Sequence, residues 1–478
     1  MKIVLINPPL EMMRRFWFPL GIGYIASLLR KHGYEIEVVD CIGSNIKRKD
    51  FIDILKKSNA KCFGIGGIVT AFNNVSDIAG YIRENIPDAF IFAGNTVAYS
   101  IPEIIFKHTA IDCIVCGEGE FTTLELMQAY QDGKGLSGIH GIIYKNHSDE
   151  ICANPAREAI GDIDSLPLPA WDLLPLENYF VNAGHRYCVV SSVRGCPYKC
   201  IYCCKTYMGY KIRYRSAQSI INELLEFHGR YKITKFYFFD DLSTLNKDRM
   251  LEFCRLKMET ALAPMSWTIS ARVNLVDEDI VNALKKAKCA DVGFGLESMD
   301  QGILNEIGKN VKTEQNEKAI ALCEKYGLKY NSSSFMIGSP SETEETVKKS
   351  SDFCKKHKCR YEPHYITPFP GTKLYEDAIK KGLIKDELAY IKLIAKQGHT
   401  SSLVVNVTKN LSDSQLNELN RKYKYFPKPS LWVYVVKFLT NPLKYMKLLF
   451  TDSKKLFRLV KDGADYSYVT IKYNNEWE

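Results

Sequence analysis

The chain has 478 residues, of which 46% are hydrophobic, and a formal net charge of +9, an ordinary globular composition. This length predicts about three domains, each large enough to bury a core. The chain contains fifteen cysteines. Its amino-terminal apolar run breaks after six residues and it has no clean run of 18 apolar residues, so we expect neither a secretory leader nor a transmembrane helix. We therefore expect a cytoplasmic protein with reduced thiols.

Residues 1–135 alternate between short apolar runs and amphipathic stretches. The runs predict strands near residues 2–6, 35–39, 62–68, 89–93 and 112–116, and helices lie between them, the clearest over residues 21–31, 75–84 and 122–131. Parallel neighbours need a helical crossover, so this rhythm predicts a Rossmann-like, doubly wound parallel sheet.

Small residues follow several of these strands, at the edge where open α/β sheets bind ligands. A glycine allows a ligand to approach the backbone closely, although any one of them can simply make a tight turn. No GxGxxG pattern is present, so a nicotinamide dinucleotide is not indicated. The small and polar residues concerned are Gly21, Gly23, Gly66, Gly67, Gly94, Asn95, Gly117, Glu118, Gly119 and Glu120.

Residues 136–186 are predicted to be a connector, because four prolines between Pro155 and Pro175 interrupt regular structure. A second βα rhythm occupies residues 187–385, with six strands near residues 187–193, 235–239, 267–272, 290–296, 330–337 and 362–366. Six units predict a partial (βα)6 TIM barrel, two units short of the closed form. Residues 386–478 are expected to form a small, mainly helical region.

Three cysteines follow the first barrel strand in the run Arg194-Gly195-Cys196-Pro197-Tyr198-Lys199-Cys200-Ile201-Tyr202-Cys203. The CxxxCxxC spacing lets Cys196, Cys200 and Cys203 bind three irons of a [4Fe-4S] cluster, which leaves the fourth iron open to a ligand. Structural zinc is the alternative, but it usually takes four protein ligands. Cys204 is expected to point elsewhere. The loop lies at the carboxyl-terminal rim, where barrel enzymes carry out their chemistry.

Other polar residues at the ends of the barrel strands suit an adenosyl ligand held over such a cluster. Carboxylates and an arginine can receive an ammonium group, ribose hydroxyls and a carboxylate, and Tyr202 can stack on a purine. Each of these residues can instead cap a loop or form a salt bridge. The predicted set is Tyr202, Asp240, Asp241, Ser270, Arg272, Glu297, Ser298 and Gly338.

Residues 1 to about 385 resemble the cobalamin-binding (B12-binding) radical S-adenosylmethionine (SAM) enzymes. The resemblance rests on the cysteine run and on five further motifs: Phe239-Asp240-Asp241, Phe294-Gly295-Leu296-Glu297-Ser298, Ile337-Gly338-Ser339-Pro340-Ser341-Glu342-Thr343, Phe369-Pro370-Gly371-Thr372 and Cys116-Gly117-Glu118-Gly119-Glu120.

The resemblance implies that SAM chelates the open iron and is reductively cleaved to a 5'-deoxyadenosyl radical, with an electron donor such as flavodoxin or ferredoxin. It implies cobalamin in the first domain, where no DxHxxG motif offers cobalt a lower histidine ligand. The usual outcome is methylation of an unactivated carbon through methylcobalamin. The residues then expected to bind cobalamin are Pro8, Gly21, Gly23, Gly66, Gly67, Thr70, Gly94, Asn95, Gly117, Glu118 and Glu120.

Residues 421–478 contain 12 Lys or Arg and 5 Asp or Glu, so the net positive charge is concentrated there. Apolar runs over residues 431–439 and 442–449, followed by a basic stretch over residues 454–461, predict a helical cap on the barrel mouth. The alternative is a peripheral membrane contact, which would favour a lipid-like substrate over other small molecules. No RNA-binding module is visible, so nucleic acid is not expected as a partner.

Three alternative functions remain open. A radical SAM cyclase, oxidase or carbon-coupling enzyme would use the same cofactors without methyl transfer. A radical SAM methylthiotransferase acting on RNA would need a second cluster in the first domain, where Cys41, Cys62, Cys113 and Cys116 are available. A non-catalytic cobalamin-binding protein would have no use for the cysteine triplet.

Overall fold

A computed structural model describes residues 1–10, 17–146, 148–204, 208–240, 242–331, 334–398 and 400–427. In this part of the chain, an α/β unit built on an open sheet is followed by an open barrel of parallel strands and then by further helices. The predicted α/β fold class is confirmed.

The first unit, as far as the structure describes it, is one seven-stranded sheet with helices packed against it. Its strands are β1 (Lys2–Asn7), β2 (Glu35–Asp40), β3 (Cys62–Ile65), β4 (Phe90–Gly94), β5 (Cys113–Val115), β6 (Ile142–Lys145) and β7 (Ile151–Ala153). Its helices are α1 (Leu20–Lys31), α2 (Arg48–Ser58), α3 (Phe72–Asn85), α4 (Thr96–Tyr99), α5 (Pro102–His108) and α6 (Gly119–Gln131). The strand order is β2-β1-β3-β4-β5-β6-β7, and the first five strands are parallel.

Helices cover both faces of the five parallel strands. Successive side chains of a strand point to opposite faces, so a strand buried on both sides is apolar at every position. In β1, Ile3 and Leu5 share a core with α1 and α6, whereas Val4 and Ile6 share a core with α2, α3 and α5. The doubly wound arrangement predicted from the βα rhythm is confirmed.

The sheet extends into the segment predicted to be a connector. Strands β6 and β7 form an antiparallel hairpin that adds to the edge at β5. The Asn146 side chain closes the turn by accepting hydrogen bonds from the amides of Ser148 and Glu150. The prolines that suggested irregular structure begin only at Pro155, after this hairpin.

The barrel follows a short helix, α7 (Leu176–Ala183). Its strands are β8 (Tyr187–Val190), β9 (Val193–Arg194), β10 (Arg213–Tyr214), β11 (Lys235–Phe238), β12 (Ser266–Ala271), β13 (Cys289–Phe294), β14 (Lys329–Asn331), β15 (Met336–Ile337) and β16 (His364–Tyr365). Its helices are α8 (Ala217–Tyr231), α9 (Lys247–Met258), α10 (Glu278–Lys286), α11 (Gln301–Glu306), α12 (Thr313–Tyr326), α13 (Glu344–Lys356) and α14 (Lys373–Lys380).

The barrel strands are parallel and run in the order β14-β13-β12-β11-β8, and β15 pairs with β16. A parallel bridge between Glu297 and Phe335 connects the two groups. Strands β14 and β15 together occupy the fifth predicted position, so the partial six-unit barrel is confirmed. Strands β9 and β10 stand apart as an antiparallel ribbon at the start and end of the segment that carries the cysteines.

Two further helices, α15 (Glu387–Gln397) and α16 (Asp413–Tyr423), follow the barrel. Helix α15 returns to the first unit, where Ile391 and Ile394 pack in the same core as Phe72 of α3. Helix α16 packs on the barrel through Leu416.

The apolar and basic runs noted over residues 431–461 lie outside the described residues. Of the helices that the structure describes, none is long and apolar enough to cross a bilayer.

Candidate active site

The cysteine loop, defined here as residues 195–204, begins with a left-handed turn directly after β9. Gly195 has φ +86°, and a Cβ atom there would collide with the carbonyl oxygen of Lys211, so only glycine fits. Further along, the Cys203 amide donates a 3.1 Å hydrogen bond to the carbonyl of Cys200. The backbone therefore sets both how the loop leaves the ribbon and how its last turn closes.

The three predicted cluster ligands share this loop. Cys196 is buried, and Cys200 and Cys203 are half-buried. Among the described residues, no three His, Cys, Asp or Glu side chains converge as ligands of a single ion. A cubane takes its thiolates on separate irons and does not require such convergence, and three soft thiolates are the donors it prefers. The donor set thus fits a cluster.

Arg272, at the end of β12, approaches the cysteine loop directly. Its Nη1 lies 3.9 Å from Cys200 Sγ, and its guanidinium lies 3.5 Å from the centre of the Tyr198 ring. A guanidinium in this position offsets the negative charge of a thiolate ligand and holds the loop by a cation–π contact. These contacts are with the cysteine loop, whereas the sequence predicts a contact with the SAM carboxylate.

A buried polar triad lies beside the loop. The Glu297 Oε1 atom accepts hydrogen bonds from Lys309 Nζ at 2.7 Å and from the Tyr202 hydroxyl at 3.0 Å. Burial, together with the neighbouring Glu297 charge, holds the pKa of Tyr202 far above its usual range, so the phenol stays a donor. Glu297 has φ +62°, a strained value for a residue with a side chain.

Asp240, at the end of β11, is buried under the backbone that leads to the cysteine loop. Its carboxylate accepts hydrogen bonds from the amides of Ser192 at 2.7 Å and Val193 at 3.1 Å, and from both the Ser191 and Ser192 hydroxyls. Burial raises the pKa of Asp240, and the serine hydrogen bonds oppose that rise. The carboxylate therefore anchors the segment before the ribbon. Asp241 lies outside the described residues.

The remaining predicted SAM residues make local contacts. The Ser298 hydroxyl accepts from the Asp300 amide at 3.1 Å, and Gly338, with φ +94°, donates from its amide to Glu342 Oε2 at 3.1 Å. Ser270 differs from these two, because it faces the large cavity described next. The role of these three residues in binding SAM stays a prediction.

A cavity of about 870 Å³ lies between the carboxyl-terminal edge of the first sheet and the rim of the barrel. Its wall on the barrel side includes Asp240, Ser270 and Arg194, the residue before Gly195. Its wall on the sheet side includes eight of the eleven residues predicted to bind cobalamin: Gly21, Gly66, Thr70, Gly94, Asn95, Gly117, Glu118 and Glu120.

The other three predicted residues lie beneath this wall. A Cβ at Gly67 would lie 3.3 Å from Pro8, and a Cβ at Gly23 would lie 3.0 Å from Pro169, so these positions serve packing within the chain. Gly21, in contrast, lines the cavity, and a Cβ there would meet no atom within 4 Å. The glycine-lined edge forms a cradle that side chains would fill, which fits a large, flat cofactor.

Glu118 and Glu120 make contacts that the sequence did not predict. Their carboxylates bind arginines of the β9–β10 ribbon, at 2.8 Å from Arg194 to Glu118 and 2.6 Å from Arg194 to Glu120. The local sequence does not show that these two glutamates contact the barrel unit, because Arg194 lies about 75 residues further along the chain.

Sequence reasoning also missed an aromatic part of the cavity wall. Trp17 and Phe239 line the cavity, their ring centroids are 5.2 Å apart, and they remain 36% and 50% exposed. Phe239 directly precedes Asp240 in the Phe239-Asp240-Asp241 motif, whose carboxylates alone were predicted to bind a ligand. An apolar residue among the polar residues at a strand end is the sequence signal that could have predicted this aromatic wall.

Comparison with known protein families assigns the two units. The B12 binding domain model matches residues 12–127, and the Radical SAM superfamily model matches residues 190–354. These ranges contain the glycine-lined sheet edge and the cysteine loop, respectively.

Two relatives align with most of the chain. An uncharacterized methyltransferase, PH0819, of Pyrococcus horikoshii is 35% identical over 396 residues, which cover 80% of this chain and 84% of that protein. The cytidylyl-2-hydroxyethylphosphonate methyltransferase of Streptomyces wedmorensis is 24% identical over 484 residues, covering 88% and 89%.

Among solved structures, the radical SAM methyltransferase TsrM from Kitasatospora setae, with cobalamin and a [4Fe-4S] cluster bound, has the same fold. It superposes with a TM-score of 0.67 at 17% identity and covers 80% of this chain and 75% of that one.

Proposed function

The chain belongs to the cobalamin-binding radical SAM enzymes, and we propose on this premise that it methylates an unactivated carbon of a small molecule. The observation that carries the proposal is one cavity in which a glycine-lined sheet edge faces the barrel rim that bears the cysteine loop. The 35% identical relative is named a methyltransferase, which favours methyl transfer over cyclisation, oxidation or carbon coupling.

When bound, the cluster supplies the electron that cleaves SAM, and cobalamin supplies the methyl group. The chain contributes Cys196, Cys200 and Cys203 as the thiolate ligands. Arg272 holds the loop and balances its charge through its contacts with Cys200 and Tyr198. Ser270 lines the cavity together with Gly195 and Cys204 of this loop, opposite the glycine cradle, and this wall is the surface on which SAM and substrate would meet.

An apolar substrate, or one with an apolar part, suits the aromatic wall. Exposed aromatic rings bury apolar area against hydrophobic groups, and a contact with another aromatic ring adds about 0.5–1.5 kcal/mol beyond area burial. Trp17 and Phe239 therefore favour a hydrophobic small molecule, including a lipid-like one. The reaction also needs a one-electron donor, for which flavodoxin or ferredoxin is the expected class.

The thiols of the first domain argue against a second cluster and hence against an RNA methylthiotransferase. Cys62 and Cys113 lie in the core on one face of the sheet, whereas Cys41 lies in the core on the opposite face, against which Cys116 also packs. The ligands of one cluster must surround it, and side chains on opposite faces of a sheet do not do so.

The test is anaerobic reconstitution followed by cofactor analysis and product analysis. We expect one [4Fe-4S] cluster and one cobalamin per chain, and conversion of SAM to 5'-deoxyadenosine after addition of a reductant. Mass spectrometry of extracts from cells with and without the protein should then show a metabolite heavier by one methyl group. A product with altered hydrogen content but no added methyl group would favour the cyclase or oxidase, and a protein that binds zinc instead of a cluster would refute the proposal.

A further inference from the structure

The two glutamates that follow β5 accept hydrogen bonds from donors of the protein itself. Glu118 Oε1 accepts from Arg194 Nη1 at 2.8 Å, and Glu118 Oε2 accepts from the Ile160 amide at 2.8 Å and from Arg213 Nη1. Glu120 Oε1 accepts from Arg194 Nη2 at 2.6 Å. Arg194 thus bridges both carboxylates with one guanidinium, the fork geometry that makes arginine ion pairs directional.

These ion pairs are almost completely shielded from solvent. The side chains of Glu118 and Glu120 are 5% exposed, and those of Arg194 and Arg213 are 7% and 3% exposed. Burial of these charges costs desolvation energy that is about equal to the energy gained from their pairing. A gain in stability therefore does not explain why the ion pairs are buried. Their best-supported use is to select one arrangement of the parts they join, because any other leaves a charge buried without a partner.

The parts that they join are the two halves of the active site. Arg194 and Arg213 are register partners in the β9–β10 ribbon, and the cysteine loop leaves the ribbon directly after Arg194. Glu118 and Glu120 begin helix α6 and line the glycine cradle. The Arg194 guanidinium also lies 5.2 Å from the centre of the Tyr24 ring, which belongs to helix α1 of the same cradle.

We propose that Glu118 and Glu120 are positioning residues, which lock the cysteine-loop ribbon to the cobalamin cradle and thereby set the distance between cluster and cobalt. They do not bind cobalamin themselves. This inference rests on the proposed function, because it concerns the two cofactors which that function requires.

The experiment uses the reconstituted full chain with Glu120→Gln, Glu118→Gln and, as a matched control, Glu125→Gln. Glu125 lies on the same helix and pairs with Arg157, but this pair is partly exposed and does not reach the ribbon. The readouts are iron content, the dissociation constant for hydroxocobalamin, and the magnetic dipolar interaction between cob(II)alamin and the reduced cluster, measured by electron paramagnetic resonance.

We expect both ribbon variants to bind iron and cobalamin within twofold of the wild type and to show an altered, broadened dipolar interaction, while Glu125→Gln matches the wild type in all three readouts. Arg194→Lys, which keeps the charge but loses the fork, should alter the interaction in the same way and provides the test if the glutamine variants do not fold.

An unchanged dipolar interaction in these variants would overturn the inference. A tenfold or larger loss of cobalamin affinity would overturn it also, since it would make the glutamates cofactor ligands. Failure of the proposed function has a different signature, because the wild-type protein itself would then lack cobalamin or the cluster.

Discussion

The hydroxyl of Tyr202, within the cysteine loop, donates a 3.0 Å hydrogen bond to the carboxylate of Glu297, which stands at a left-handed backbone position on the barrel rim. Lys309 supplies the positive charge for the same oxygen. The buried Glu297 carboxylate therefore binds the cysteine loop to the barrel rim. Substitutions can separate the contributions of Tyr202 and Lys309 to stability.

Lys309→Met should destabilise the cofactor-free protein more than Tyr202→Phe does. Removing the cation leaves the buried Glu297 carboxylate without a countercharge, which costs about 3–5 kcal/mol. Removing the phenol costs one hydrogen bond to a charged group, about 1.5–3 kcal/mol. Urea unfolding followed by circular dichroism measures both, with Arg255→Ala as a control, because its pair with Glu259 is exposed and should contribute under about 1 kcal/mol. Equal losses of stability in Lys309→Met and Tyr202→Phe would contradict the role given to Lys309.

Replacing any one of Cys196, Cys200 or Cys203 by alanine should abolish the cluster and the formation of 5'-deoxyadenosine. Each thiolate holds a separate iron, so two remaining ligands do not retain the cubane. Iron and sulfide analysis and the absorbance of the reconstituted protein measure the loss.

Cys204→Ala is the matched control for these variants. Cys204 directly follows the triplet, but its Sγ lies 3.7 Å from the Ser100 hydroxyl of the first unit. We expect this variant to retain its iron. Loss of iron in Cys204→Ala would mean that the ligand set within the loop is misassigned.

The sequence predicted those features of the fold and site that depend on local residue patterns. The βα rhythm predicted both units, because burial of parallel strands forces apolar runs and intervening amphipathic helices. The strand-end glycines predicted most of the cradle for a similar reason, since the carboxyl ends of parallel strands meet at one edge.

The sequence could not show which polar residues the fold itself uses. Asp240 and Glu118 stand at strand ends, as ligand-binding residues do, yet their carboxylates bind the Ser192 amide and the Arg194 guanidinium. These partners lie in β9 and in the segment just before it, and only the assembled structure brings them within hydrogen-bond distance. The hairpin β6–β7 was missed because each of its strands has only three or four residues.

Gly21→Leu should weaken cobalamin binding at least tenfold, equivalent to about 1.4 kcal/mol. Gly21 lies in helix α1, lines the cavity, and has open space where a Cβ would be, so a leucine there would extend into the cradle. The control is Gly80→Leu in helix α3, another helical glycine with no atom within 4 Å of its Cβ position but outside the cavity wall. Titration with hydroxocobalamin measures both, and equal affinities in the two variants would remove Gly21 from the cobalamin site.

Glu342 should make the stability of the barrel depend on pH. Its buried carboxylate accepts hydrogen bonds from the amides of Gly338 and Ser339, and from the Thr346 hydroxyl. Burial raises its pKa from 4.5 to about 7, against the opposing effect of the Thr346 hydrogen bond. Between these values the folded protein binds more protons than the unfolded chain, so this group's contribution is fully present below pH 4.5 and is lost as pH rises through 7.

Glu342→Gln removes this titration, so its thermal midpoint should fall less than that of the wild type between pH 5 and pH 8. The glutamine keeps an oxygen acceptor for the Gly338 amide, which limits the change to the charge. Glu344→Gln is the control, because hydrogen bonds from Lys422 and Tyr423 lower the pKa of the exposed Glu344 below 4.5. Its contribution is lost only on further acidification, so its profile between pH 5 and pH 8 should parallel that of the wild type. Parallel pH profiles for the wild type and Glu342→Gln would show that the carboxylate is ionised throughout, and the segment at Gly338 would then have no proton-linked anchor.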